Sequence, residues 1–143
     1  LDNFSQDAGT LIGTARFPLD KADMGSTTQG IVTVQDHVSG VLSLNSINEP
    51  RSRDDTTSAT ASLTYVANSE VTIQVTWDSS ISKFQLWATS DIGTATSGLK
   101  TYDGAFNIGT VINYLYGMSV PVNLLDWVLT KSSLFTDKTG KDS

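Results

Sequence analysis

A chain of 143 residues, 38% hydrophobic and 17% charged, is long enough to bury one core, and its lack of cysteine excludes a disulfide framework or a thiolate zinc site. A formal net charge of -6 and a pI near 4.4 argue against a phosphate-binding surface of the nucleic-acid kind, which needs clustered Lys and Arg to displace counterions. No apolar run approaches the roughly 20 residues that span a bilayer, so neither nucleic acid nor membrane insertion is expected.

Leu11, Gly13, Ala15 and Phe17 alternate with Thr10, Ile12, Thr14 and Arg16, and Pro18 ends the run by removing an amide donor, which predicts a first strand. A polar, turn-rich stretch follows over residues 20–29. Residues 30–36 and 38–44 read as second and third strands, with a bulge or tight turn near His37 and Gly40. Residues 45–58 contain Pro50, Arg51, Arg53, Asp54 and Asp55 and almost nothing apolar, which predicts a long, exposed, protease-sensitive loop. Residues 60–67 form the next expected strand.

The strongest pattern runs from Glu70 to Trp77, with Val71, Ile73, Val75 and Trp77 on one face and Glu70, Thr72, Gln74 and Thr76 on the other. Phe84, Leu86 and Ala88 against Lys83, Gln85 and Trp87 give its partner, and the polar residues 78–82 between them predict a hairpin. For Trp77 and Phe84 to share a face, six residues must separate them, or a shorter loop must carry a bulge. Residues 91–98 read as a polar connection, and 99–108 and 110–116 as strands, with Ile112, Tyr114 and Tyr116 on one face. Residues 119–124 alternate around Pro121. The stretch 124–129 fits a strand or one face of a helical turn, and the chain from Lys131 onward is expected to be loose. The pattern as a whole predicts an all-β fold, a single-domain antiparallel β-barrel or jelly-roll-like sandwich over residues 1–143.

No assembled chemistry accompanies these strands, so no catalysis, metal or other cofactor is expected. His37 has no second His or Cys to complete a site. Asp20 with Asp23, and Asp54 with Asp55, offer oxygens to calcium, but neither stretch has the loop pattern that enforces such a site. Asn3-Phe4-Ser5 fits a glycosylation acceptor. Trp87 lies opposite the face closed by Phe84 and Leu86, which predicts a side chain turned away from the core and towards a subunit interface, a sugar ring or a second buried layer. Arg51 and Arg53 are close together, with Asp54 and Asp55 offsetting their charge. Trp87, Trp127, Tyr102, Arg51 and Arg53 are the interface or ligand-contact candidates.

With its start at Leu1-Asp2-Asn3-Phe4, its Ser/Thr-rich strands such as Ser62-Leu63-Thr64-Tyr65 and Val71-Thr72-Ile73-Gln74-Val75, its lack of cysteine and its polar end at Lys141-Asp142-Ser143, the whole chain resembles the C-terminal protruding domain of a nodavirus-like capsid protein of the nematode-infecting kind. The resemblance implies a domain excised from a longer chain, projecting from an icosahedral shell at the virion surface. It also implies self-association into dimeric or trimeric spikes, the trimer favoured, beside the shell domain of the same chain, and attachment to a host receptor or glycan. The basic RNA-binding arm of such proteins has no counterpart here. The competing class is a carbohydrate-binding module or adhesin domain of a secreted protein, stacking Trp87, Trp127 or Tyr102 on sugar rings. A hydrolase, lacking an identifiable acid/base pair, ranks third.

Overall fold

The computed structural model describes residues 4–26, 28–34, 40–54, 56–106, 112–114 and 123–135, and the side chains of 34, 112–114, 123 and 124 are not among the described parts. His37, Asp55, Tyr116 and the Asn3 acceptor therefore lie outside the described residues, as does the side chain of Tyr114. The described strands are β1 (Ala8–Arg16), β2 (Gln29–Val34), β3 (Leu42–Leu44), β4 (Pro50–Arg53), β5 (Ser58–Thr60), β6 (Glu70–Asp78), β7 (Lys83–Ser90), β8 (Gly93–Thr96), β9 (Lys100–Thr101), β10 (Ile112–Tyr114) and β11 (Asn123–Thr130). The helical content among the described residues is one 3-10 turn, Lys21–Asp23.

The strands form two antiparallel sheets. One has the order β11-β1-β6-β7-β8, with β9 also paired to β7, and the other has the order β10-β2-β3-β4-β5. Their inner faces share one core, with Leu11, Ala15, Val71, Ile73, Val75, Trp77, Phe84 and Leu86 from the first sheet and Ile31, Leu42, Leu44 and Ala59 from the second. The fold is thus an all-β sandwich, as the alternation predicts.

The β6–β7 hairpin has the expected register, Trp77 opposite Phe84 and Asp78 opposite Lys83. Trp77 anchors one end of the core: its ring meets Phe106 edge-on at 5.0 Å, and Tyr102 lies 5.2 Å from Phe106. The polar tips of both aromatics are satisfied by the chain before β1, Trp77 Nε1 donating to Ser5 O (2.8 Å) and the Tyr102 hydroxyl to Gln6 O (2.6 Å). Ala8 pairs with Asp78 at this near end, and Arg16 with Glu70 at the far end.

At the far end, the loops around residues 17–26, 45–49 and 65–69 are tied by a buried polar network. Gln29 Nε2 donates to Met24 O (2.9 Å), Asn48 Nδ2 to Lys21 O (2.9 Å) and Gly25 O (2.7 Å), and the Tyr65 hydroxyl to Asn48 O (2.9 Å). Each buried donor finds an acceptor, so these connections are held firmly despite their polar sequence. Lys21 and Glu49 form an ion pair at 3.3 Å at the rim of the same network.

Several expectations are corrected. Residues 45–58 are not one long exposed loop: β4 lies within them, and Asn48, Glu49, Ser52 and Asp54 are buried. The expected strand over 60–67 is paired only as β5, after which residues 61–65 alternate buried and exposed without a ladder. The polar connection at 91–98 contains β8, whereas in the described part of the expected strand over 99–108, residues 99–106, only β9 is paired, with Tyr102 and Phe106 reaching the core from irregular backbone. The ambiguous 124–129 stretch belongs to a strand, β11. Residues 131–135 are not loose. They cross the outer face of the first sheet, where Ser132 O accepts from Thr10 Oγ1 (2.9 Å) and Leu134 O from Thr76 Oγ1 and Gln74 Nε2 (both 2.8 Å).

Candidate functional site

The three aromatic candidates are all drawn into the fold. Trp87 points to the face opposite Phe84 and Leu86, as the alternation predicts, yet it is only 6% exposed, so the expectation of a tryptophan left for a partner is corrected. Its direct cross-strand neighbour is Gln74, whose amide reaches the returning segment at Leu134. Burial in a second layer is therefore the reading that holds. Tyr102 is 1% exposed, with its ring in the core and its hydroxyl on Gln6 O, and offers no platform. Trp127, half-buried on β11, packs against the core and lies over Gly13, its cross-strand partner. A Cβ at Gly13 would stand 2.5 Å from Trp127 Cε3 and 2.6 Å from Cγ, so the indole occupies the space that the glycine leaves open.

Arg51 and Arg53 behave differently. They alternate with the buried Ser52 on β4, so both point to the outer face of the second sheet, where their cross-strand neighbours are Ser43, Thr60 and Ser58. Of the two carboxylates expected to offset them, Asp55 lies outside the described residues and Asp54 is turned elsewhere. Asp54 is buried, and its oxygens accept from the amides of Thr56 (2.9 Å) and Asp103 (2.8 Å) and from the amide of Thr57. The ion pairs among the described residues, Arg16 with Glu70 and Lys21 with Glu49, involve neither arginine. Arg51 Nε is shielded from solvent and has no hydrogen-bond partner. Burial, and then the neighbouring charge of Arg53, pull the Arg51 guanidinium below its ordinary range.

Elsewhere the titratable groups serve the fold. Burial raises the Glu49 carboxyl, but hydrogen bonds from Asn45, Lys21 and Ser62 outweigh it, leaving Glu49 below its ordinary value of 4.5. Burial pushes the Tyr65 hydroxyl well above its usual range. Asp20 accepts from the Ala67 amide (2.7 Å), which makes it a loop staple. No group of three His, Cys, Asp or Glu gathers among the described residues.

A surface absent from the sequence expectations lies at the far end. The connections there each present an exposed large apolar residue: Leu19 after β1, Ile47 between β3 and β4, Val66 before β6 and Ile92 between β7 and β8. Ile47 (62%) and Ile92 (56%) are the most open. Each is a single apolar residue in a polar turn, a weak signal taken one at a time. Comparison with protein-family models, curated proteins and solved structures finds no match to the chain.

Proposed function

We propose that the chain works by contact, as the protruding domain of a nodavirus-like capsid protein that self-associates at the virion surface and contributes to host attachment. The observation that carries this reading is the placement of the exposed apolar residues. Leu19, Ile47, Val66 and Ile92, four of the exposed large apolar residues, top the end of the sandwich opposite residues 4–8, where β1 begins, whereas the near end carries two, Ile81 and Leu99. In a spike whose shell domain precedes this chain, that apolar end faces outward. The polar network beneath these loops holds their tips in place, which lowers the ordering cost of docking a partner.

Self-association is assigned to the edge strand β11, where Leu125 (43% exposed) and Val128 (55%) present apolar side chains in place of the buried Trp87. The trimer is favoured over the dimer on the resemblance. The competing carbohydrate module loses support because Trp87, Tyr102 and Trp127 are committed to packing, and none lies open as a stacking surface. Sedimentation velocity over a range of concentrations tests the proposal. A reversible trimer that Val128→Asp weakens without unfolding the chain is the expected result. A chain that stays monomeric both alone and within its full-length protein refutes it.

A further inference from the structure

The unpaired arginines of β4 present the second sheet's outer face with two cations side by side. On a strand, residues two apart are separated by about 6.5–7 Å, which lets two guanidinium groups converge on one small anion. Three observations show that no carboxylate among the described residues supplies that anion. Asp54, next in sequence, is consumed by backbone amides of residues 56, 57 and 103. The ion pairs among the described residues are made by Arg16 and Lys21 instead. Arg51 Nε, already removed from water, still lacks an acceptor.

We infer that the Arg51–Arg53 face of β4 binds a single oxyanion, the carboxylate or sulfate group of an acidic sugar. The guanidinium fork matches the planar carboxylate and two edges of a sulfate. Ser58 and Thr60, the cross-strand partners of Arg53 and Arg51, stand on the same face and are half-buried, so their hydroxyls are placed for the neutral groups around the charge. A long polyanion is disfavoured by the net charge of -6. A protein partner is disfavoured by the surroundings: the exposed large apolar residues include none on β3, β4 or β5, so the pair lacks the apolar centre on which protein interfaces depend. Recognition here is by charge rather than by stacking on an aromatic ring. The site is independent of the capsid reading, which is tested by oligomeric state and not by ligand.

The test is a titration of the whole chain followed through the arginine Nε–H signals in nuclear magnetic resonance. Sodium sulfate, sodium glucuronate and glucose are compared at constant ionic strength, so that screening does not imitate binding. The Arg51 Nε–H signal is expected to shift saturably with sulfate and with glucuronate and to ignore glucose. Arg53→Gln, at an exposed position, is expected to weaken both by about tenfold or more while the remaining spectrum stays folded. Arg51→Lys, which keeps the charge but loses the fork, is expected to weaken glucuronate more than sulfate. Absence of a saturable shift with either anion overturns the site. Sulfate binding without glucuronate overturns the sugar and leaves a bare ion site. A shift produced by raising protein concentration alone, abolished by Arg53→Gln, assigns the pair to a carboxylate of a second copy and also overturns it.

Discussion

Replacing Gly9 by alanine sets two opposite physical effects against each other. In an open strand the change removes backbone entropy from the unfolded chain and gains about 0.5–1 kcal/mol. At Gly9 the new methyl group would stand 2.8 Å from Thr130 O and 2.9 Å from Trp77 Cε2, and would overlap the adjacent ring carbon. Neither neighbour can give. Thr130 O is backbone of the paired strand β11, and Trp77 is fully buried, anchored by its 2.8 Å bond to Ser5 O and its edge contact with Phe106. Overpacking of a tight core costs about 1–3 kcal/mol and occasionally more; contacts this short on rigid neighbours put the cost near 3 kcal/mol, so after the entropic gain the net effect is a loss of about 2 kcal/mol. For a domain near this size that corresponds to a melting temperature lowered by about 4–8 °C. Gly93→Ala is the control, because nothing lies within 4 Å of a Cβ there and it keeps only the entropic gain. Urea unfolding followed by tryptophan fluorescence should place Gly9→Ala well below the wild type and Gly93→Ala at or slightly above it. If both variants unfold with the wild-type midpoint, the packing argument at Trp77 fails.

Two further outcomes follow from burial and charge. Acrylamide should quench Trp127 more than Trp77 or Trp87, so Trp127→Phe should flatten the Stern–Volmer slope while Trp87→Phe, which removes a shielded emitter, steepens it; the reverse order would return Trp87 to the surface. Because the Glu49 carboxyl sits below its ordinary 4.5 when folded, its stabilising contribution is present above that pH and is lost as pH falls through the lower folded value, so Glu49→Gln should be less stable at neutral pH yet lose less on acidification, as read from urea midpoints between about pH 6 and 3.

The fold class was legible because the β6–β7 hairpin follows strict period two, and no helical arrangement buries Val71, Ile73, Val75 and Trp77 together on one side. β4 was not legible. Its Pro-Arg-Ser-Arg sequence has the composition of a loop, and it becomes a strand because β3 and β5 on either side supply the ladder while the small Ser52 fits beneath the core. β8 was hidden for a related reason, since Gly93, Thr94, Ala95 and Thr96 are small or polar and take their place from pairing with β7. The site candidates divide in the same way. The alternation gives the face of Trp87 but not what covers that face, because the returning segment at 132–134 bonds to strands some 60 residues earlier, at Gln74 and Thr76. The Arg51–Arg53 pair was visible as sequence, but its lack of an acid partner among the described residues depends on where Asp54 turns.

That turn fits a wider use of aspartate in this chain. Thirteen of its fifteen acids are Asp, and several described ones bond to the main chain: Asp20 to the amide of Ala67 (2.7 Å), Asp78 to that of Ser80 (2.9 Å), Asp103 to that of Ala105 (3.1 Å), and Asp54 to three amides. A short carboxylate reaches a nearby amide that the longer glutamate overshoots, and such bonds close turns that lack apolar residues of their own. The two glutamates, by contrast, provide the acid partners in the ion pairs with Arg16 and Lys21. The acidic composition is therefore partly a consequence of many strands joined by tight polar turns. Carboxylates committed to backbone donors are not free to pair with cations, which is how an acidic protein can hold two arginines side by side on β4 with neither of them in an ion pair among the described residues.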